Sequence, residues 1–121
     1  MERLATRKEI FVILHDVRSA YNVGSIFRTA DAAGVKKIFL TGYTPAPVDK
    51  FGKINSHIQK TALGAEKTVE WEKKKDIGKT ISESKKGGFL VVAVEQSPKS
   101  INYKKFGHKH PLALIFGNEV A

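Results

Sequence analysis

The 121 residues carry 21 lysines and arginines against 12 aspartates and glutamates, a net charge of +9, and no cysteine. Disulfides and thiolate metal sites are thereby excluded, no apolar run approaches the ~18 residues of a membrane span, and the charged start Met1–Glu9 is not a secretory leader. These features predict one soluble, cytoplasmic domain over residues 1–121 whose basic surface suits a polyanion, most commonly nucleic acid, although lysine-rich surfaces also occur on proteins that bind no polyanion.

Glu9–Asp16 is a short apolar run that reads as a buried strand. The next segment, Asn22–Gly34, spaces Val23, Ile26, Phe27, Ala30 and Ala33 along one face of a helix. Asn22 is a favoured N-cap and Gly34 a favoured left-handed terminator, so both ends are signalled. Lys37–Thr41 is a second strand, and strand, helix, strand is a parallel crossover unit. Ligands of parallel sheets sit beyond the carboxyl ends of the strands, beside helix N-termini. Asn22 and Gly24 fall at such a place. Gly24, lacking a Cβ, would let a ligand come close, and Arg28 offers a fork of donors suited to phosphate. The same three residues also occur in helices that hold no ligand.

Gly42–Lys53 holds two prolines and two glycines and predicts a loop long enough to serve as a lid or binding loop. Ile54–Leu63 reads as a short helix ended by Gly64, and Lys67–Trp71 as a short strand. Asp76–Lys86 reads as a helix that starts on Asp76, aligns Ile77 with Ile81 and stops at Gly87-Gly88. Phe89–Val94 has the pattern of a strand covered on both faces, Gln96–His110 looks irregular, and Leu112–Phe116 is another strand. The sum is an α/β fold, a mostly parallel five-stranded sheet with flanking helices. Asp16, Thr41, Glu95 and Gly117-Asn118-Glu119 follow its strands and gather at one edge. Glu95 and Glu119 would suit acid–base work, and equally a structural or substrate-orienting role. Neither G-x-G-x-x-G nor the P-loop pattern is present, nor is G-x-S-x-G. His108 and His110 lie in a basic stretch without carboxylates or cysteines, which predicts a surface role and no metal.

N-V-G-S-I-F-R-T-A at Asn22–Ala30 resembles motif 1 of the SpoU/TrmH family of RNA 2′-O-ribose methyltransferases, and L-I-F-G-N-E at Leu114–Glu119 resembles the start of motif 2. Arg18–Tyr21, Thr41–Pro45 and Lys60–Glu66 look like the single-domain branch of that family, so the resemblance runs from Ile10 to the end. It implies a SPOUT-type, Rossmann-like knotted fold, S-adenosyl-L-methionine as cofactor, tRNA or rRNA as substrate, and a homodimer with its active site near the subunit interface. By the same resemblance Asn22 and Arg28 are catalytic and Glu119 supports the site. Val94, Glu95, Gly117 and Asn118 would line the cofactor pocket, and Arg18, Arg28, Lys53 and Lys60 would meet RNA.

The sequence departs from the family pattern at Ala121, two residues after Glu119, before a third motif that carries a serine and an asparagine of the site and forms the knot. Two expectations follow: little methyl transfer by the isolated chain, and an exposed apolar patch along Leu112–Phe116. The competing reading is a non-catalytic RNA-binding module of the same fold.

Overall fold

The computed structural model describes residues 9–95, Pro98 and residues 111–117. Five strands form one sheet: β1 (Ile10–His15), β2 (Lys37–Thr41), β3 (Glu70–Lys74), β4 (Leu90–Val94) and β5 (Leu112–Phe116), in the order β3-β2-β1-β5-β4. Every pairing is parallel, so all five carboxyl ends emerge on one edge. Leu14 is level with Leu40 and Phe116, and Phe116 with Val94.

Helix α1 (Ala20–Ala33) begins two residues before Asn22, because Ser19 takes the cap position: its hydroxyl accepts the Asn22 N–H at 3.2 Å. The expectation that Asn22 caps the helix is therefore corrected. Gly34 ends the helix with φ 77°, as its sequence position implies. Helix α2 (Ser56–Ala62) is capped by Asn55, whose side-chain oxygen accepts from His57 and Ile58 N–H. Gly64, at φ 93°, restarts the chain as the single turn α3 (Ala65–Thr68). That turn takes Lys67 and Thr68, the first two residues of the strand expected over Lys67–Trp71, and β3 starts at Glu70. Its register with β2 brings Lys37 Nζ to 3.3 Å from Glu70 and 2.9 Å from Glu72, and Lys74 joins Glu72 at 3.0 Å. Hydrogen bonds from Lys37 and Lys74 hold the Glu72 carboxyl below its usual pKa. Helix α4 (Ile77–Lys86) starts on an Asp76 cap and ends at Gly87, as read from sequence.

The sheet is covered on both faces. Helices α1, α2 and α3 pack Val23, Ile26, Phe27, Ile58, Ala62 and Ala65 on one side of it, with Val12, Leu14, Ile38, Leu40, Leu114 and Phe116. On the other side Phe11 stacks on Phe89 at 3.8 Å and meets Phe39 edge-on at 5.3 Å, under Ile77 of α4. Two further corrections concern exposure. β5 lies between β1 and β4, and Leu112, Ala113, Leu114 and Phe116 are buried, so no apolar patch runs along it. β4, expected to be covered on both faces, is an edge strand, and Leu90 is 51% exposed. Among the described residues no helix is long and apolar enough to cross a membrane, and no group of three His, Cys, Asp or Glu is placed to hold a metal.

Candidate active site at the carboxyl edge of the sheet

Strand order reverses at β1 and β5, because the chain moves from β1 toward β3 on one side and returns through β4 to β5 on the other. The crevice beyond those two strand ends is where parallel sheets take ligands. His15 and Asp16 form one lip and Gly117 the other, with Glu95 following the neighbouring end of β4.

A hydrogen-bonded chain fixes the first lip. His15 Nδ1 lies 3.0 Å from the Thr41 hydroxyl, and Nε2 lies 3.2 Å from Asp16 Oδ2. An Nε2–H tautomer satisfies both contacts: the ring donates to Asp16 and accepts from Thr41. Asp16 Oδ1 accepts the Tyr43 N–H at 3.1 Å. Asp16 itself holds a left-handed backbone, φ 55°. Facing it, Gly42 has φ 62°, and a Cβ there would fall 1.8 Å from Asp16 Oδ1. Thr44 completes the turn by accepting the Val17 N–H at 3.0 Å and donating to the Leu14 carbonyl at 2.9 Å. Lys73 donates to the Gly42 carbonyl at 2.7 Å and to the Thr44 carbonyl. Burial pushes its ammonium below the usual lysine pKa, and the charge of Asp16 opposes that shift. Of these residues, sequence reading singled out Asp16 and the family-like stretch Thr41–Pro45, and it gave His15 and Lys73 no part in the site.

The second lip carries Gly117 and Glu95, both exposed, and among the described residues nothing lies within 4 Å of the Cβ position on Gly117. Val94 is half-buried. Asn118 and Glu119, both expected at this lip, lie outside the described residues. A glycine backbone and an exposed carboxylate at adjacent strand ends are groups of the kind that can take a flat ring and ribose hydroxyls.

Gly24 departs from its expected role. A Cβ on it would fall 2.0 Å from Thr61 Oγ1 and 2.4 Å from the Ile58 carbonyl, so the missing side chain admits α2, not a ligand. Thr61 then donates to the Tyr21 carbonyl at 2.8 Å across the same contact, and the Tyr21 and His57 rings meet edge-on at 4.9 Å.

Asn22, half-buried, sits in the first turn of α1 beside the edge, and Arg28 is exposed further along. Six residues separate them, a rise of about 9 Å and a rotation of about 120° between their directions around the helix. The two therefore do not converge on one point from a single helix. Among the described residues no carboxylate pairs with Arg28. The Arg18 guanidinium lies 5.7 Å from the Tyr43 ring centre. Lys53 and Lys60 are exposed, on the 42–53 segment and on α2.

A family model described as the SpoU rRNA Methylase family matches residues 9–121. The chain is 32% identical over 114 residues to the tRNA (guanosine(18)-2'-O)-methyltransferase of Aquifex aeolicus, covering 94% of this chain and 51% of that protein. It is 31% identical over 110 residues to the 23S rRNA (guanosine-2'-O-)-methyltransferase RlmB of Neisseria meningitidis, covering 91% and 41%. Among solved structures, the AdoMet-bound rRNA methyltransferase from Sinorhizobium meliloti is similar with a TM-score of 0.72 at 28% identity, over 99% of this chain and 46% of that one. The A. aeolicus TrmH/SpoU tRNA modifying enzyme gives 0.68 at 28%, over 98% and 56%. The chain thus spans about half the length of the relatives it matches.

Proposed function

The chain belongs to the SpoU rRNA methylase family, and from that premise we propose that the protein transfers a methyl group from S-adenosyl-L-methionine to a ribose 2′-hydroxyl of tRNA or rRNA. The observation that supports this most directly is the match of the family model over residues 9–121, together with the neighbouring carboxyl ends of β1, β5 and β4, from which Gly117 and Glu95 leave beside the braced His15–Asp16 turn. Val94, Glu95, Gly117 and Asn118 would hold the cofactor, which supplies an electrophilic methyl on a sulfonium. Arg28 would hold the phosphate beside the target ribose. A guanidinium, with a pKa above ~12, is a poor base, so its part is to orient the hydroxyl, and much of the rate comes from positioning. Asn22 would fix the ribose and Glu119 would support the loop after β5.

Because Asn22 and Arg28 diverge around α1, one helix does not bring both to one ribose. A homodimer, in which two copies of α1 share the work, accommodates that divergence. Arg18, Lys53 and Lys60 would meet the RNA backbone.

The test is calorimetric titration of S-adenosylmethionine together with methyl transfer to RNA, on a chain extended through the family's third motif, with and without Arg28→Ala. Transfer is expected to vanish in the variant while cofactor affinity stays within a few fold. A large loss of cofactor binding would contradict the role at the ribose. The second reading, a binding module without catalysis, is favoured by the exposed basic residues Lys53 and Lys60, which stand on the 42–53 segment and on α2, away from the strand ends. It predicts salt-sensitive RNA affinity with no cofactor binding.

A further inference from the structure

The segment between β2 and α2 has a built tip. Val48 and Ile54 pair as an antiparallel bridge, and within it the Asp49 N–H donates to the Lys53 carbonyl at 3.0 Å. Asp49 Oδ1 accepts from the Phe51 N–H at 2.8 Å and the Lys53 N–H at 2.9 Å, and Gly52 turns the chain at φ 83°. A carboxylate is thus spent on ordering five residues, and the ordered tip holds its largest apolar side chain in water: Phe51 is 85% exposed. Lys50 Nζ lies 5.2 Å from the Phe51 ring centre, and Lys53 is exposed beside it. Asp49 Oδ1 is engaged by backbone N–H groups, and around it the tip presents the Phe51 ring, the ammoniums of Lys50 and Lys53, and the exposed aliphatic Val48 and Ile54. Behind the tip an open groove of about 490 Å³, lined by Pro45, Ala46, Asn55 and His57 among others, leads toward Tyr21. Tyr21 and Tyr43 are also exposed, at 45% and 52%, each against a basic or imidazole side chain.

Aromatic faces interleaved with cations match single-stranded nucleic acid, whose bases stack while its phosphates pair with the cations. A duplex keeps its bases stacked on one another and presents mainly phosphates and sugars, which lysines alone would serve. We propose that Phe51 is a stacking residue for an unpaired base of the RNA, with Lys50 and Lys53 on the flanking phosphates, so that the tip selects looped over duplex RNA. This rests on the RNA-methyltransferase reading and adds to it the form of RNA that is recognised.

The experiment compares the parent with Phe51→Ala and Phe51→Trp. Each is titrated into a hairpin RNA carrying 2-aminopurine in its loop and into a duplex of equal length, with S-adenosylmethionine titrated in parallel. Phe51→Ala should bind the hairpin about 5- to 100-fold more weakly, lose the fluorescence change that reports stacking, and bind the duplex as the parent does. Phe51→Trp should restore hairpin affinity. Equal hairpin affinity in Phe51→Ala overturns the proposal, as does an equal loss on the duplex. A loss of self-association in place of RNA affinity, seen by sedimentation, also overturns it by assigning the tip to a protein contact. The underlying reading fails separately, through absence of cofactor binding in a parent that still shows Phe51-dependent RNA affinity.

Discussion

Gly24 and Gly117 look alike in sequence: each stands at the carboxyl edge of a parallel sheet, in a motif where a missing side chain invites a ligand. They do opposite things. The space over Gly24 is filled by the Ile58 carbonyl and the Thr61 hydroxyl, whereas among the described residues nothing lies within 4 Å of the Cβ position on Gly117. The first glycine sets how closely two helices approach; no described element packs on the second. A glycine's meaning is decided by what packs on it, and packing comes from elements far away in sequence: Thr61 is 37 residues from Gly24.

Substitution tests the contrast. Gly24→Ala should cost about 1–3 kcal/mol, because the new methyl meets a backbone carbonyl that cannot swing aside, and that outweighs alanine's better helix propensity. A denaturant melt with an unchanged midpoint would erase the contrast. Gly117→Ala should leave stability within about 0.5 kcal/mol while weakening S-adenosylmethionine binding by about 10-fold or more, since the methyl takes space at the second lip. If calorimetry finds the affinity intact, the cofactor does not approach there.

The smallest effect belongs to the charged ladder around Glu72, remote from both glycines. Its carboxyl pKa is lowered in the folded state from the usual 4.5. The stability it contributes is therefore full above about pH 4.5 and is lost as pH falls through the folded value. Because the group is partly exposed, the contribution is below about 1 kcal/mol. Glu72→Gln should flatten the fall in stability between pH 5 and 3 by that amount, and an unchanged acid profile would remove the ladder from the account.

Local signals were strong where a residue acts on its own backbone. The Asp76 cap, the Gly34 stop and the apolar strands Ile10–His15, Lys37–Thr41 and Leu112–Phe116 were all legible, because capping, left-handed turns and apolar runs are properties of adjacent residues. Motif 1 and the start of motif 2 carried the family. The cap of α1 was misread because Ser19 and Asn22 are both good caps, and the choice depends on where the chain leaves the Asp16 turn. The strand read at Lys67–Trp71 was placed three residues early, because β3's start at Glu70 is set by register with Lys37, a partner 33 residues earlier. Lys73 was one lysine among many until the fold placed it under Gly42 and Thr44.

By itself, then, the sequence determined the class of fold, the succession of most of its elements, the basic surface and the family, since each follows from composition, short-range periodicity or contiguous motifs. Only the tertiary structure decided that β4 lies at an edge, that Gly24 is a packing residue, that His15, Asp16, Thr41 and Lys73 brace one lip of the crevice, and that Phe51 stands out on an ordered tip. Those outcomes depend on contacts between distant segments, and a chain's local pattern does not say which of its surfaces another part of the same chain will cover.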